Sequence, residues 1–203
     1  LHLACLALDL GPGDSVIVPT VTFLATANVV RHVGAQVIFS DVNPDSGLME
    51  AKEFCQAIQR AKKQIKAVFP VHLGGQTPNM AEISEIAKKK DIFVVEDASH
   101  SVGGAYYAGK KVMPVGSCFY SDITTFSFHA VKTIAMGEGG AVTTKHNKLA
   151  DRVKLFRSHG MVNQSQDFLN TEMAFDGSGG VNSWYYEMNE PGFNYRASDI
   201  HSA

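Results

Sequence analysis

Residues 126–140 of this 203-residue chain read FSFHAVKTIAMGEGG and hold one lysine, Lys132. It is flanked by Val131 and Ile134, follows a stretch of β-branched and aromatic residues, and precedes Gly137, Gly139 and Gly140. An ammonium in such company is expected to be partly desolvated, which favours the neutral amine. A neutral lysine amine attacks carbonyl carbons and forms Schiff bases with them. The competing explanation is plain: a lone lysine in a loop is usually a solvated charge, and glycines supply tight turns. The chain contains no G-x-x-x-x-G-K-[ST] phosphate loop. A second chemical residue, Asp97, closes the apolar run IFVVED, with Ser99 and His100 just beyond it. A carboxylate there can serve a ligand or merely cap the next turn.

These groups need a scaffold, and the hydrophobic pattern describes one. LHLACLALDL has helical spacing, GPGD at 11–14 is a turn, and SVIVP is a short strand ending at Pro19. The alternation continues with a helix over 22–34, a buried strand over 35–42, and a helix over 50–63 that places Phe54, Ala57, Ile58 and Ala61 on one face. IKAVFPVH is the next strand. Thr77 and Pro78 then suit the N-cap and first position of a helix ending in Lys88, Lys89 and Lys90, where cations complement the helix dipole. IFVVED, ITTFSF and GAVTT are further strands, and a helix runs from about Asn147 through Leu155 and Phe156. Residues 161–191 change character, with FDGSGG followed by Trp184, Tyr185 and Tyr186. They form a long excursion suited to motion or to a subunit contact. A helix opens at Ser198. Short apolar strands alternating with helices predict an α/β domain whose mostly parallel sheet is covered on both faces, with ligands at the carboxyl ends of its strands. That rule puts Asp97 beside the site.

The 18 basic and 20 acidic residues leave a net charge of −2, and neither sign forms a long run, so no nucleic acid or membrane partner is expected. Cys5, Cys55 and Cys118 are far apart and set among apolar or small residues, as reduced core thiols are. This favours the cytoplasm. No run approaches a bilayer span, no metal-ligand cluster stands out, and the ends read as cuts through a longer fold.

The sequence Ser127, Phe128, His129, Lys132, then Gly137, Glu138, Gly139 and Gly140 resembles the lysine segment of the DegT/DnrJ/EryC1/StrS sugar aminotransferases, whose pattern is S-F-H-x-x-K and T-G-E-G-G. Met136 stands where that family often has threonine. The resemblance extends from Leu1 to beyond Arg196. It implies a three-layer fold-type I large domain over residues 1–203, without the family's N-terminal segment and C-terminal small domain. The implied cofactor is pyridoxal phosphate, held by Lys132, with Asp97 opposite the pyridine nitrogen. Phe23 would stack on the ring, and His100 would lie on its other side near the ring oxygen. Ser127 would donate to the phosphate, and His129 would lie alongside. Read without the family pattern, Phe23 is a core aromatic, His100 and His129 are hydrogen-bonded core histidines, and His72 and His159 have no cofactor role.

GFNYRASDI at 192–200 resembles a further family motif, in which Asn194 would reach the partner's phosphate in a homodimer with shared active sites, and Arg196 would meet substrate or hold the interface. The family moves an amino group, usually from glutamate, to the keto group of a nucleotide-linked deoxysugar in the synthesis of cell-surface glycans. FSFHAVK, LFRSHGM and WYYEMNEPGFNYR look similar to the branch that aminates UDP-linked keto-deoxy altrosamine-type sugars. Two alternatives stand beside this expectation. One is a sugar dehydratase, which replaces the lysine by histidine. The other is a non-catalytic binding or regulatory member.

Overall fold

The computed structural model describes residues 1–203. The chain opens with α1 (His2–Ala7), β1 (Ser15–Pro19), α2 (Ala25–His32), β2 (Gln36–Ser40), α3 (Ala51–Arg60), β3 (Ile65–Val68), α4 (Met80–Lys89) and β4 (Phe93–Asp97). A hairpin of β5 (Ala105–Ala108) and β6 (Lys111–Pro114) follows, then β7 (Ile123–Ser127), β8 (Gly140–Thr143) and α5 (Asn147–Arg157). The remainder holds β9 (Met161–Val162), a 3-10 turn (Ser165–Asp167), α6 (Thr171–Ala174), β10 (Glu187–Met188) and α7 (Asp199–Ser202).

The main sheet has the order β2-β1-β3-β4-β7-β8 and is parallel except for the β7–β8 pair. Alternation along its strands builds two cores. Val16, Val18, Ala67, Phe69, Val95 and Ile123 pack with α1, α2 and α5 on one face. Ile17, Ile65, Val68 and Val94 pack on the other with Phe54 and Ala57 of α3 and Met80, Ile83 and Ala87 of α4. The sheet covered by helices on both faces is the predicted three-layer architecture. Burial of this kind stabilises by roughly 25 cal/mol per Å² of apolar surface.

Three local expectations need correction. The strand over 35–42 is an edge rather than a buried strand, and Phe39 is 53% exposed, because β2 has a neighbour on one side only. The cap of α4 is Asn79, not Thr77, and its side chain accepts from Glu82 N at 3.4 Å. Asparagine offers the same accepting oxygen two residues later, so Pro78 lies outside the helix. The β5–β6 hairpin went unforeseen, although Gly109 at φ 62° marks its turn. The three cysteines are free, and burial pushes the Cys5 thiol up to about 12, so it stays protonated in the core. No helix is long and apolar enough to cross a membrane.

Candidate active site

The carboxyl ends of β3, β4 and β7 open into a cleft of about 580 Å³. Of the predicted residues, Phe23, Asp97, His100, Ser127, His129 and Lys132 all line it. They come from three separate stretches of chain, and the sheet order is what gathers them.

Asp97 is the last residue of β4 and only 4% exposed. Its Oδ2 accepts from Thr26 Oγ1 at 2.8 Å, and its Oδ1 accepts from the hydroxyl and the backbone N–H of Ser99, the latter at 3.3 Å. Three donors from α2 and from the turn after β4 therefore fix its rotamer. Thr26 and Ser99 were missed by the sequence reading. The Asp97-x-Ser99 spacing is a legible Asx-turn signature, whereas the contact with Thr26 spans 71 positions and leaves no local trace.

Lys132 sits in the loop joining β7 to β8. Two backbone bonds close that loop, from Phe128 N to Gly139 O at 2.8 Å and from Met136 N to Phe128 O at 2.9 Å. Gly140 is sterically required, because a Cβ there would lie 2.5 Å from the backbone Phe126 O, whereas a Cβ on Gly139 would meet only the movable thioether end of Met136. Lys132 itself is half-buried, but the apolar screen expected from its neighbours is not there. Val131 is 78% exposed and Ile134 is 56% exposed, because the loop leaves the sheet and points both residues to solvent.

His129 is exposed rather than a core histidine, and its Nε2 lies 3.7 Å from Glu138 Oε1 across the loop. Its backbone N–H donates to Ser127 Oγ at 3.3 Å. His100 is half-buried, and its Nδ1 accepts from Gly74 N at 3.2 Å. An accepting Nδ1 places the proton of the neutral ring on Nε2, making that atom a donor. Phe23 is 68% exposed at the cleft wall and so is not the core aromatic of the alternative reading. Its ring is uncovered by the chain's own packing, and a flat ligand can stack there.

Asn194 and Arg196 do not enter this cleft. Asn194 is exposed and bridges Ser158 in antiparallel fashion, while Arg196 lines an adjoining cleft that shares Phe126, Glu138, Gly139 and Gly140 as walls. Their segment is clasped to the end of α5 by Phe193 N to Phe156 O and His159 N to Phe193 O, both 2.8 Å, and by Tyr195 N to Arg157 O at 3.0 Å.

An amine, a rigidly held carboxylate, an uncovered aromatic ring and hydroxyl donors in one cleft of this size fit a planar pyridine aldehyde carrying a phosphate. Comparison with known proteins agrees. A perosamine-forming relative, GDP-perosamine synthase of Caulobacter vibrioides, is 42% identical over 161 residues, covering 79% of this chain and 41% of that protein. UDP-4-amino-4,6-dideoxy-N-acetyl-beta-L-altrosamine transaminase of Campylobacter jejuni is 38% identical over 201 residues, covering 98% and 46%. The chain thus spans a little under half the length of these curated relatives. The Streptococcus pneumoniae protein Spr1654, solved in its PLP form, superposes with a TM-score of 0.76 at 29% identity, covering 99% of this chain and 51% of that one. Pyridoxal phosphate is accordingly a feature of the family. The model of the DegT/DnrJ/EryC1/StrS aminotransferase family matches residues 1–203, and the chain belongs to that family.

Proposed function

We propose that the protein is a pyridoxal phosphate-dependent aminotransferase that moves an amino group, from glutamate as donor, to the keto group of a nucleotide-linked deoxysugar for polysaccharide or glycan precursors. The observation that carries this is the convergence of Lys132, Asp97, Phe23, His100, Ser127 and His129 on one cleft. The bound cofactor supplies an electron sink for the carbon that loses its proton.

Lys132 would hold the cofactor through Nζ and, when free, its amine would serve as the base that carries a proton at the reacting carbon. Asp97, fixed by Thr26 and Ser99, orients against the ring nitrogen and keeps it protonated. Phe23 would stack on the ring, His100 would offer Nε2–H on its other side, Ser127 would donate to the phosphate, and His129 would lie beside the cofactor. Relatives that use GDP- and UDP-linked sugars match to similar degrees, so sugar amination supports the proposal at the level of class.

We place Asn194 in the partner's site and Arg196 at the substrate or the subunit contact of a homodimer. Support comes from the exposure of Asn194 outside its own cleft and from the uncovered apolar side chains of Trp184, Tyr186 and Met188, 60–64% exposed, in the same stretch.

Borohydride reduction of the complete gene product with pyridoxal phosphate, followed by peptide mapping, puts the label on Lys132, and Lys132→Ala abolishes turnover. Turnover retained in that variant overturns the assignment. Mixing Lys132→Ala subunits with Asn194→Ala subunits restores activity, since one site of the mixed dimer has both groups. If the mixture is no more active than its parts, Asn194 does not act across the interface.

A further inference from the structure

Adjacent to Asp97 on β4 but on the opposite face of the sheet, Glu96 is fully buried. Its Oε1 accepts from Ser121 Oγ and from Thr124 Oγ1, the latter at 3.0 Å. Its Oε2 lies 3.1 Å from Nε2 of His72, a side chain that is also fully buried. Neither ring nitrogen of His72 makes a hydrogen bond, so the 3.1 Å approach to Glu96 is the one polar contact of the ring among the ion-pair distances. A buried polar pair of this kind is weak as a stabilising device, because its desolvation offsets its attraction, and apolar replacements are often as stable. Its presence therefore calls for a second account.

Position supplies one. The backbone N–H of His72 donates to Asp97 O at 3.0 Å, the N–H of Asp97 donates to Pro70 O at 2.9 Å, and Val71 bridges Asp97 in parallel register. Two residues on, Gly74 N donates to His100 Nδ1, and a Cβ on Gly75 would come within 3.1 Å of His100 O. Segment 71–75 thus contacts both Asp97 and His100, and Val71 and Leu73 line the cleft itself. The His72 ring anchors this segment to the far face of β4, while its backbone anchors it to the end of the same strand.

We propose that His72, through Glu96, is a positioning residue that locks segment 71–75 to β4 and so sets the placement of Asp97 against one part of the cofactor ring and of His100 against another. The inference rests on the cleft assignment made above. Neither residue of the pair lines the cleft. Around the pair stand Ser121 and Thr124 as hydroxyl donors and Tyr106 of β5, whose phenol is pushed upward by burial and by the Glu96 carboxylate.

The test uses the complete gene product with His72→Leu, which removes both ring nitrogens, and His72→Gln, whose amide nitrogen can still approach Oε2. Two readouts are taken: amide exchange at His72, Gly74 and Asp97 in cofactor-free protein, and affinity and absorption spectrum on titration with pyridoxal phosphate. In His72→Leu the three amides exchange about tenfold faster or more while β2 amides do not change, and affinity falls about tenfold or more with an altered bound spectrum. His72→Gln stays within about threefold of the parent in both. A His72→Leu protein with a lowered melting temperature but unchanged exchange, affinity and spectrum overturns the proposal, because the pair is then structural only. Should His72→Leu fail to fold, Glu96→Gln decides: it keeps side-chain size while removing the charge, and unchanged exchange and affinity there overturn it equally. Uptake of no pyridoxal phosphate by the parent protein sinks the cleft assignment instead. The exchange readout, taken without cofactor, still decides whether His72 positions segment 71–75.

Discussion

Of the 50 buried residues, all but Phe168 and Ala174 precede Met161, so the sheet body and the segment after it are held by different forces. The body has two apolar cores, one on each face of the sheet, and its order follows from removing that surface from water. The later segment is held by exposed carboxylates that gather backbone N–H groups. Glu187 accepts from Leu169 N and Asn170 N at 2.8 Å each and from the Tyr185 hydroxyl at 2.8 Å. Asp176 accepts from Ser178 N, the Ser178 hydroxyl and Gly180 N at 2.7–2.9 Å. Burial commits the body to one arrangement, whereas local polar bonds leave the later segment open to solvent, to pH and to a neighbouring subunit. The body supplies the rigid carboxylate of the candidate cleft, and the segment carries Asn194 and Arg196, which the proposal assigns to the partner's site and to the substrate or subunit contact.

Breaking the body is expected to have the largest effect. Phe54→Ala empties a fully buried aromatic site and costs about 3–5 kcal/mol, seen as a lower denaturant midpoint for the entire domain. A loss confined to α3 amides would show that the two cores are not cooperative.

Next is the clasp between the regions. Gly160 has φ 69°, and a Cβ there would stand 1.6 Å from Glu190 O. Gly160→Ala therefore costs about 1–3 kcal/mol in local strain. It speeds exchange at the amides of Phe193 and Tyr195 while the sheet amides keep their protection. Global destabilisation instead would mean that the segment is part of the body's cooperative unit.

The smallest effect is acid loosening of the segment alone. The Leu169 N–H, helped by Asn170 N and the Tyr185 hydroxyl, lowers Glu187, and the Ser178 hydroxyl leads the groups that lower Asp176. Both folded values lie below the unfolded ones, so their stabilisation is complete above the unfolded carboxylate values of about 4 and is lost as pH falls through the lower folded values. Trp184, the chain's one tryptophan, sits 5.7 Å from the Tyr185 ring, and its fluorescence should change below about pH 4 while the helical signal of the body holds. A fluorescence change centred near neutral pH would assign the segment's order to other groups.

How much of this was legible follows the same division. Parallel strands covered on both faces must be apolar at nearly every position, so SVIVP and IFVVED announce themselves, and Asp97 stands out as the polar residue that ends such a run. Lys132 was legible because it stands in a short local pattern with Ser127, Phe128, His129 and the glycines after it, of which Gly140 leaves no room for a Cβ beside Phe126 O. The exposure of Val131 and Ile134 was not, since flanking residues do not reveal which way a loop leaves its sheet. Nor was the edge position of β2, which depends on strand order rather than on the strand's own residues.

The sequence by itself determined the alternation of strands and helices, the family, and the set of residues with the chemistry for a pyridoxal phosphate site, because these are written in local periodicity and in short motifs. Only the tertiary structure decided that Thr26 and Ser99 hold Asp97, that His72 faces Glu96 behind it, and that Asn194 lies outside the cleft that Lys132 enters. Those relations join residues distant along the chain, and their geometry exists only once the sheet has set the order of its strands.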